Sequence, residues 1–219
     1  MKWTGVFALM VTCGLVLPAS PQPLPADVIT VGTVTAPATT VDVPVYIRDV
    51  SGTPLGIDQP PGSRIQSFSI RVTYSPAAPV QSVTFTRAGI TAGLTPTFEV
   101  SPSSPGAISL LVTFPEGTNL VPFTSNAPAP GDLVAHLVFT LAPSTPPGTT
   151  ITLTLDPVLT QLTDEGGNVA TRETVTAGTL QLVNGAINVT GPPGGPTLDV
   201  WALAVLTLLL AIAAVRLRL

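Results

Sequence analysis

Side chains able to do chemistry are few and scattered in this 219-residue chain. Nucleophilic catalysis of the Ser-His-Asp kind needs a histidine beside its nucleophile. The single histidine, His136, sits in LVAHLVF between apolar neighbours, the setting of a half-buried or surface strand residue. Zinc sites need several His or Cys ligands, and the single cysteine, Cys13, lies alone in an apolar N-terminal run. A glycosidase needs two carboxylates flanking one sugar. Glu99, Glu116, Asp132 and Asp156 are the candidates, but they are dispersed and lie at or near strand ends, where solvated acids are ordinary. Oxygen ligands for calcium gather at Asp164, Glu165 and Asn168. Their spacing is not that of an EF-hand, and with Gly166-Gly167 they read as a polar hairpin tip. The expectation is a non-catalytic chain with no cofactor and no metal.

Composition narrows the class. Charged residues are 9% of the chain, far below the roughly 25% of ordinary domains. That excludes a coiled coil or long-helix protein. Hydrophobic residues reach 45%, which argues against intrinsic disorder. Lys plus Arg number 8 against 12 acids, with no basic run, so nucleic acid is excluded as a partner. Pro and Gly, 25 and 19 residues, supply many turns.

The two ends read as targeting segments. Lys2, the apolar run from Val6 to Leu17, and Pro18-Ala19-Ser20 make residues 1–26 a secretory signal peptide, with an uncleaved anchor as the alternative. Residues 191–197 are a Pro/Gly linker containing GPPGGP. Residues 198–219 read as a membrane anchor: Val200 to Val215 carries no charge, Trp201 stands at one end and Arg216 and Arg218 at the other. The run is shorter than the ~20 residues that span comfortably, and the Arg pair marks the cytoplasmic side. The order Pro196-Thr197-Leu198, Trp201, apolar run, Arg pair resembles the C-terminal sorting signals of the IPTL-CTERM type, processed by exosortase-like transpeptidases. Gly195 stands where that family usually has Ile. The resemblance implies an exported domain held at the membrane or cell surface, and release after processing of the tail.

Between the ends, residues 27–190 carry five Arg against eleven acids and no cysteine. Core packing must supply the stability. Apolar and polar residues alternate with period two along most of this span. Val41, Val43, Val45 and Ile47 are one apolar set. Phe68, Ile70, Val72 and Tyr74 are a second, and Ile108, Leu110, Val112 and Phe114 a third. Leu133, Ala135, Leu137, Phe139 and Leu141 follow, then Ile151, Leu153 and Leu155. Leu180 and Leu182 precede Ile187 and Val189, with Asn184-Gly185 between them as a turn or bulge. Weaker strands are expected at 28–35, 80–86 and 95–100. About nine strands, each with one apolar face, must pack as two layers. The fold expected is an all-β, antiparallel jelly-roll or immunoglobulin-like sandwich. Its core should join Val43, Val45, Ile70, Val72, Leu110, Val112, Leu137, Phe139, Leu153 and Ile187.

The order of these pieces resembles a family. ITVGTVTAPATTVDVPVYIRDV is similar to the first two strands of a cohesin module, and IQSFSIRVTYSP to the strand that follows. GDLVAHLVFTL resembles a later strand, and TDEGGNVAT with NGAINV the final hairpin and closing strand. The loop from Ser51 to Arg64 is longer than the family usually has. The resemblance implies a nine-stranded jelly roll related to carbohydrate-binding modules. It implies a protein partner, dockerin-like or unknown, and through it the tethering of polysaccharide-degrading enzymes.

In that family the partner lies across the third, fifth, sixth and eighth strands. By strand order these are residues 65–74, 95–100, 107–114 and 149–155. The positions out of phase with the core are Ser69, Arg71, Thr73, Ser109, Leu111, Thr113, Thr152 and Thr154. Leu111 is a large apolar side chain where alternation expects polarity, and Arg71 is an anchoring charge of the kind interface centres use. Two other readings share the fold: a carbohydrate-binding module for extracellular polysaccharide, and a structural exopolysaccharide-matrix protein. A line of exposed rings favours sugar, and a flat, partly apolar sheet face favours protein. Trp3 and Trp201 lie outside the domain, Tyr74 is in phase with the core, and Tyr46 is the ring expected to face out.

Overall fold

Alternation at period two gives each strand one dry face, and two such sheets bury those faces against each other. The computed structural model describes residues 25–115, 117, 120–164, 166 and 171–191. The segments expected to be a signal peptide, up to residue 24, and a membrane anchor, residues 198–219, lie outside the described residues. The first sheet has the order β12 (Leu180–Val183), β1 (Asp27–Val31), β3 (Thr40–Arg48), β9 (Asp132–Leu141), β5 (Val80–Arg87). The second has the order β2 (Thr33–Pro37), β13 (Gly185–Thr190), β10 (Thr150–Leu155), β4 (Ser67–Ser75), β8 (Ala107–Thr113), β6 (Phe98–Val100). Two short strands complete it: β11 (Gln161–Thr163) on β4 and β7 (Ser103–Ser104) on β8. The one helical element among the described residues is a 3-10 turn, Gly89–Thr91.

All ten residues expected in the core are buried in one apolar cluster. Burial alternates residue by residue along β3, β4 and β10. Tyr74 lies edge-on to Phe139 across the core, ring centroids 5.5 Å apart.

The sheets are not wholly antiparallel, and the run at 28–35 is not one strand. It breaks at Gly32 into β1 in the first sheet and β2 in the second. The closing run breaks the same way at Asn184, so Asn184-Gly185 is a crossing between sheets and not a hairpin turn. The two crossing segments run side by side, which makes β1–β12 and β2–β13 parallel pairs. A Cβ on Gly185 would sit 2.2 Å from the Gly32 carbonyl oxygen, so only glycine permits the approach. The Asn184 side chain closes the seam by accepting a hydrogen bond from Leu155 N–H at 2.9 Å.

Leu133 departs from its expected phase. Val45 pairs with Ala135 but Tyr46 pairs with Leu133, so Val134 is an extra residue in β9. This bulge reverses the alternation: Val134 is fully buried and Leu133 is half-buried on the outer side. The strand expected at 95–100 contracts to Phe98–Val100 at the sheet edge.

The loop from Ser51 to Arg64 folds over one end of the sandwich. Val50 N–H donates to Asp27 at 2.7 Å, Leu55 N–H to Glu173 at 2.9 Å and Ile57 N–H to Asp49 at 2.8 Å. These three carboxyls are fully buried. Burial pushes the Asp27 carboxyl far above the usual carboxylate range, and its hydrogen bond to Glu173 and that group's charge add to the shift. Burial also raises Glu173 and Asp49.

Candidate partner-binding face

The four runs assigned to a partner surface come together in the second sheet as the neighbours β10, β4, β8 and β6. Residues paired across neighbouring strands share one side of a sheet, so register decides which side chains meet. Phe98, Thr113, Ser67 and Thr163 form one cross-strand row. Val100, Leu111, Ser69 and Gln161 form the next. Ser109 and Arg71 form the third, and Ala107, Thr73 and Thr154 the fourth. Ser75 with Thr152 continues the face.

All eight residues singled out from sequence therefore lie on this outer side. Thr152 and Thr154 are exposed, and Ser69, Arg71, Thr73, Leu111 and Thr113 are half-buried. Ser109 is buried at 5% exposure, since Arg71 lies over it and donates to its hydroxyl at 3.3 Å. Asp156 stands 3.8 Å from the other side of the same guanidinium. An ion pair this exposed contributes little to stability, and it holds a cation upright at the centre of the face.

The register adds residues that alternation along one strand hides. Phe98 and Val100 are 51% and 40% exposed, and they flank Leu111 from the edge strand. On the other flank, Asp156 accepts hydrogen bonds from Val158 and Leu159 N–H, 2.9 and 3.0 Å, and fixes a turn between β10 and β11. The Leu159 carbonyl accepts the Ser69 hydroxyl at 2.8 Å, which ties the turn to β4. Val158 and Leu159 project from it at 76% and 50% exposure. The face is a polar Thr/Ser ladder with apolar groups on both margins and Leu111 and Arg71 between them. The two consecutive apolar residues after Asp156-Pro157 were the sequence signal for the second margin.

The dispersed acids are otherwise engaged. Glu99 accepts from Arg87 at 2.9 Å, across the mouth of the sandwich. Asp132 accepts from Thr124 N–H at 2.7 Å. At the hairpin tip, Asp164 accepts from Gly166 N–H at 3.0 Å and from the Thr171 hydroxyl; Glu165 and Asn168, like Glu116, lie outside the described residues. Tyr46 is half-buried on the outer side of the first sheet, away from this face. His136 is half-buried in β9, beside Pro44 and Thr86.

No family model and no curated protein matches the sequence. Solved structures do match. The third ScaC cohesin of Acetivibrio cellulolyticus, in complex with the ScaB dockerin, is 16% identical, with a TM-score of 0.53 over 75% of this chain and 99% of that one. CaCohA2 of Clostridium acetobutylicum, in complex with CaDoc0917, is 24% identical, with a TM-score of 0.52 over 75% and 100%. A type I cohesin–dockerin complex of OlpA from Clostridium thermocellum is 15% identical, with a TM-score of 0.51 over 75% and 99%. The described domain is a two-sheet β-sandwich with the cohesin fold.

Proposed function

We propose that this chain is an exported, non-catalytic binding module that holds a dockerin-like protein partner at the cell surface. One observation carries the reading: the outer face of β10, β4, β8 and β6 sets five apolar side chains, Leu111, Phe98, Val100, Val158 and Leu159, around Arg71. Interfaces concentrate binding energy in such apolar and arginine anchors, with polar groups at the rim. The solved cohesins of the same fold were crystallised with dockerins, which supports a protein partner of that kind. Sugar recognition on flat faces relies on several stacked rings, and among the described residues this face exposes one, Phe98. Tethering of a polysaccharide-degrading enzyme follows from the reading.

The immobilised full chain, exposed to the secreted fraction of its source organism, tests the reading. Capture of one discrete protein in a saturable complex is the expected result. Retention of polysaccharide with no protein captured would move the function to the carbohydrate class.

The terminal segments complete the proposal, with the domain outside and the C-terminal anchor in the membrane. Deleting residues 197–219 is expected to release the domain into the medium, measured by cell fractionation. Replacing Arg216 and Arg218 with Asp is expected to impair retention, because orientation depends on them. A truncated chain that stays with the cells would contradict the anchor.

A further inference from the structure

The long loop closing one end of the sandwich rests on carboxylates with no counter-charge. Asp27 at the start of β1, Asp49 after β3 and Glu173 opposite Leu162 are each fully buried. Each uses one oxygen to accept a loop amide, from Val50, Ile57 and Leu55 respectively. The second oxygen of each, Asp27 Oδ2, Asp49 Oδ1 and Glu173 Oε2, is buried and accepts no backbone or side-chain N–H. The carboxyls of Asp27 and Glu173 also face each other directly. Asp58 borders the cluster from the solvent side, exposed and accepting from Gly52 N–H at 3.1 Å; its Oδ1 and that of Asp49 converge on Gly56, 2.9 and 2.6 Å from where a Cβ would sit. The ion pairs of the described residues lie elsewhere, at Arg71–Asp156 and Arg87–Glu99. Arg64, on the same loop, pairs with none of the four.

Two buried carboxyls in contact are stable only with a positive charge or a proton between them. A single proton leaves the buried Asp49 uncompensated, whereas a divalent cation neutralises the facing pair and attracts Asp49 as well. The donors are all oxygen, the chemistry of calcium rather than of zinc or copper. No three acidic, His or Cys side chains meet at one point among the described residues. The site is therefore a two-carboxylate site, completed by neutral oxygens.

We propose that Asp27 Oδ2 and Glu173 Oε2 bind a calcium ion beneath the loop at residues 51–64, with Thr53 Oγ1 and nearby carbonyls completing its shell and Asp49 adding charge. This departs from the metal-free chain expected from sequence and is independent of the partner face, which lies on the outer side of the second sheet. The ion fastens the loop to the body of the domain.

The full chain, stripped with a chelator, is titrated with calcium chloride alone in a calorimeter and by thermal unfolding. One ion per chain is expected, with the midpoint rising roughly 5–10 °C at a hundredfold excess over the dissociation constant. Asp27→Asn and Glu173→Gln keep the shape and remove the charge. Both are expected to fold without calcium and to lose its binding and its midpoint shift. A parent chain that gives neither heat nor shift at roughly millimolar calcium would overturn the site. So would a shift that persists in both variants, which marks adventitious surface binding. Should a variant fail to fold, amide exchange on the parent decides. Calcium is expected to slow exchange at Val50, Leu55 and Ile57, and unchanged rates overturn the site.

Discussion

Leu111→Asp is expected to abolish partner capture while moving the thermal midpoint by no more than roughly 2 °C. Leu111 pairs with Val100 on one side and Ser69 on the other, at the centre of the proposed contact. Its side chain points away from the core, as its half-buried state shows. A carboxylate there is tolerated in the free chain, because water still reaches it. In a complex the same carboxylate is desolvated without a counter-charge. Uncompensated interfacial charges cost roughly 2–5 kcal/mol, enough to weaken binding about 30- to 5,000-fold. Arg71→Glu is expected to act in the same direction, with the new carboxylate also facing Asp156 at the present ion-pair position. Capture is read by retention of the partner on immobilised variants, and folding by the unfolding curve. Tyr46→Ser, on the opposite sheet, serves as the control and is expected to leave capture intact. Capture that survives Leu111→Asp and Arg71→Glu but fails with Tyr46→Ser would transfer the site to the first sheet.

Leu137→Ala is expected to cost roughly 2–5 kcal/mol of folding stability. Leu137 has no exposed surface and sits in β9, an interior strand of the first sheet, paired with Val43 on one side and Phe85 on the other. Truncation there leaves a cavity walled by sheet residues that cannot collapse without shifting both ladders. The described residues contain no cysteine, so no disulfide offsets the loss. Domains of ordinary stability have about 5–15 kcal/mol in total, so the variant approaches the limit of folding. Val138→Ala, one residue along and directed outward, is expected to stay below about 1 kcal/mol. Urea unfolding measures both, with the slope m unchanged if the native surface is unaltered. Equal losses at the two positions would contradict the register of β9.

The alternation along β3, β4 and β10 was legible because each strand buries one face and leaves the other nearer to water, and sequence displays that difference directly. Features that depend on partners distant in sequence were not legible. The extra Val134 sits in an unbroken apolar stretch, LVAHLVF, where either phase looks consistent. Gly32 reads as an ordinary residue of an extended run; its role appears only against Gly185, on a strand at the other end of the domain. Phe98 and Val100 look like an inward pair by local alternation. Pairing with Thr113 and Leu111 turns them outward, and only the ladder fixes that. Asp27, Asp49 and Glu173 are isolated acids in sequence, separated by strands and loops that the fold brings together. The outward placement of the eight positions on the second sheet was readable because it follows from phase and strand order. The apolar margin on the edge strand was not, because only the ladder turns Phe98 and Val100 outward, whereas Val158-Leu159 after Asp156-Pro157 left a local signal in the sequence.

Amide hydrogen exchange of the full chain, free and saturated with its captured partner, tests the central claim most directly. The account predicts slowed exchange at Phe98–Val100, within Ala107–Thr113 and Ser67–Ser75, and in the turn carrying Val158 and Leu159. Exchange along Thr40–Arg48 and Val80–Arg87 in the first sheet is predicted to stay unchanged. Protection confined to the first sheet, with the second sheet's outer strands unaffected, would contradict it.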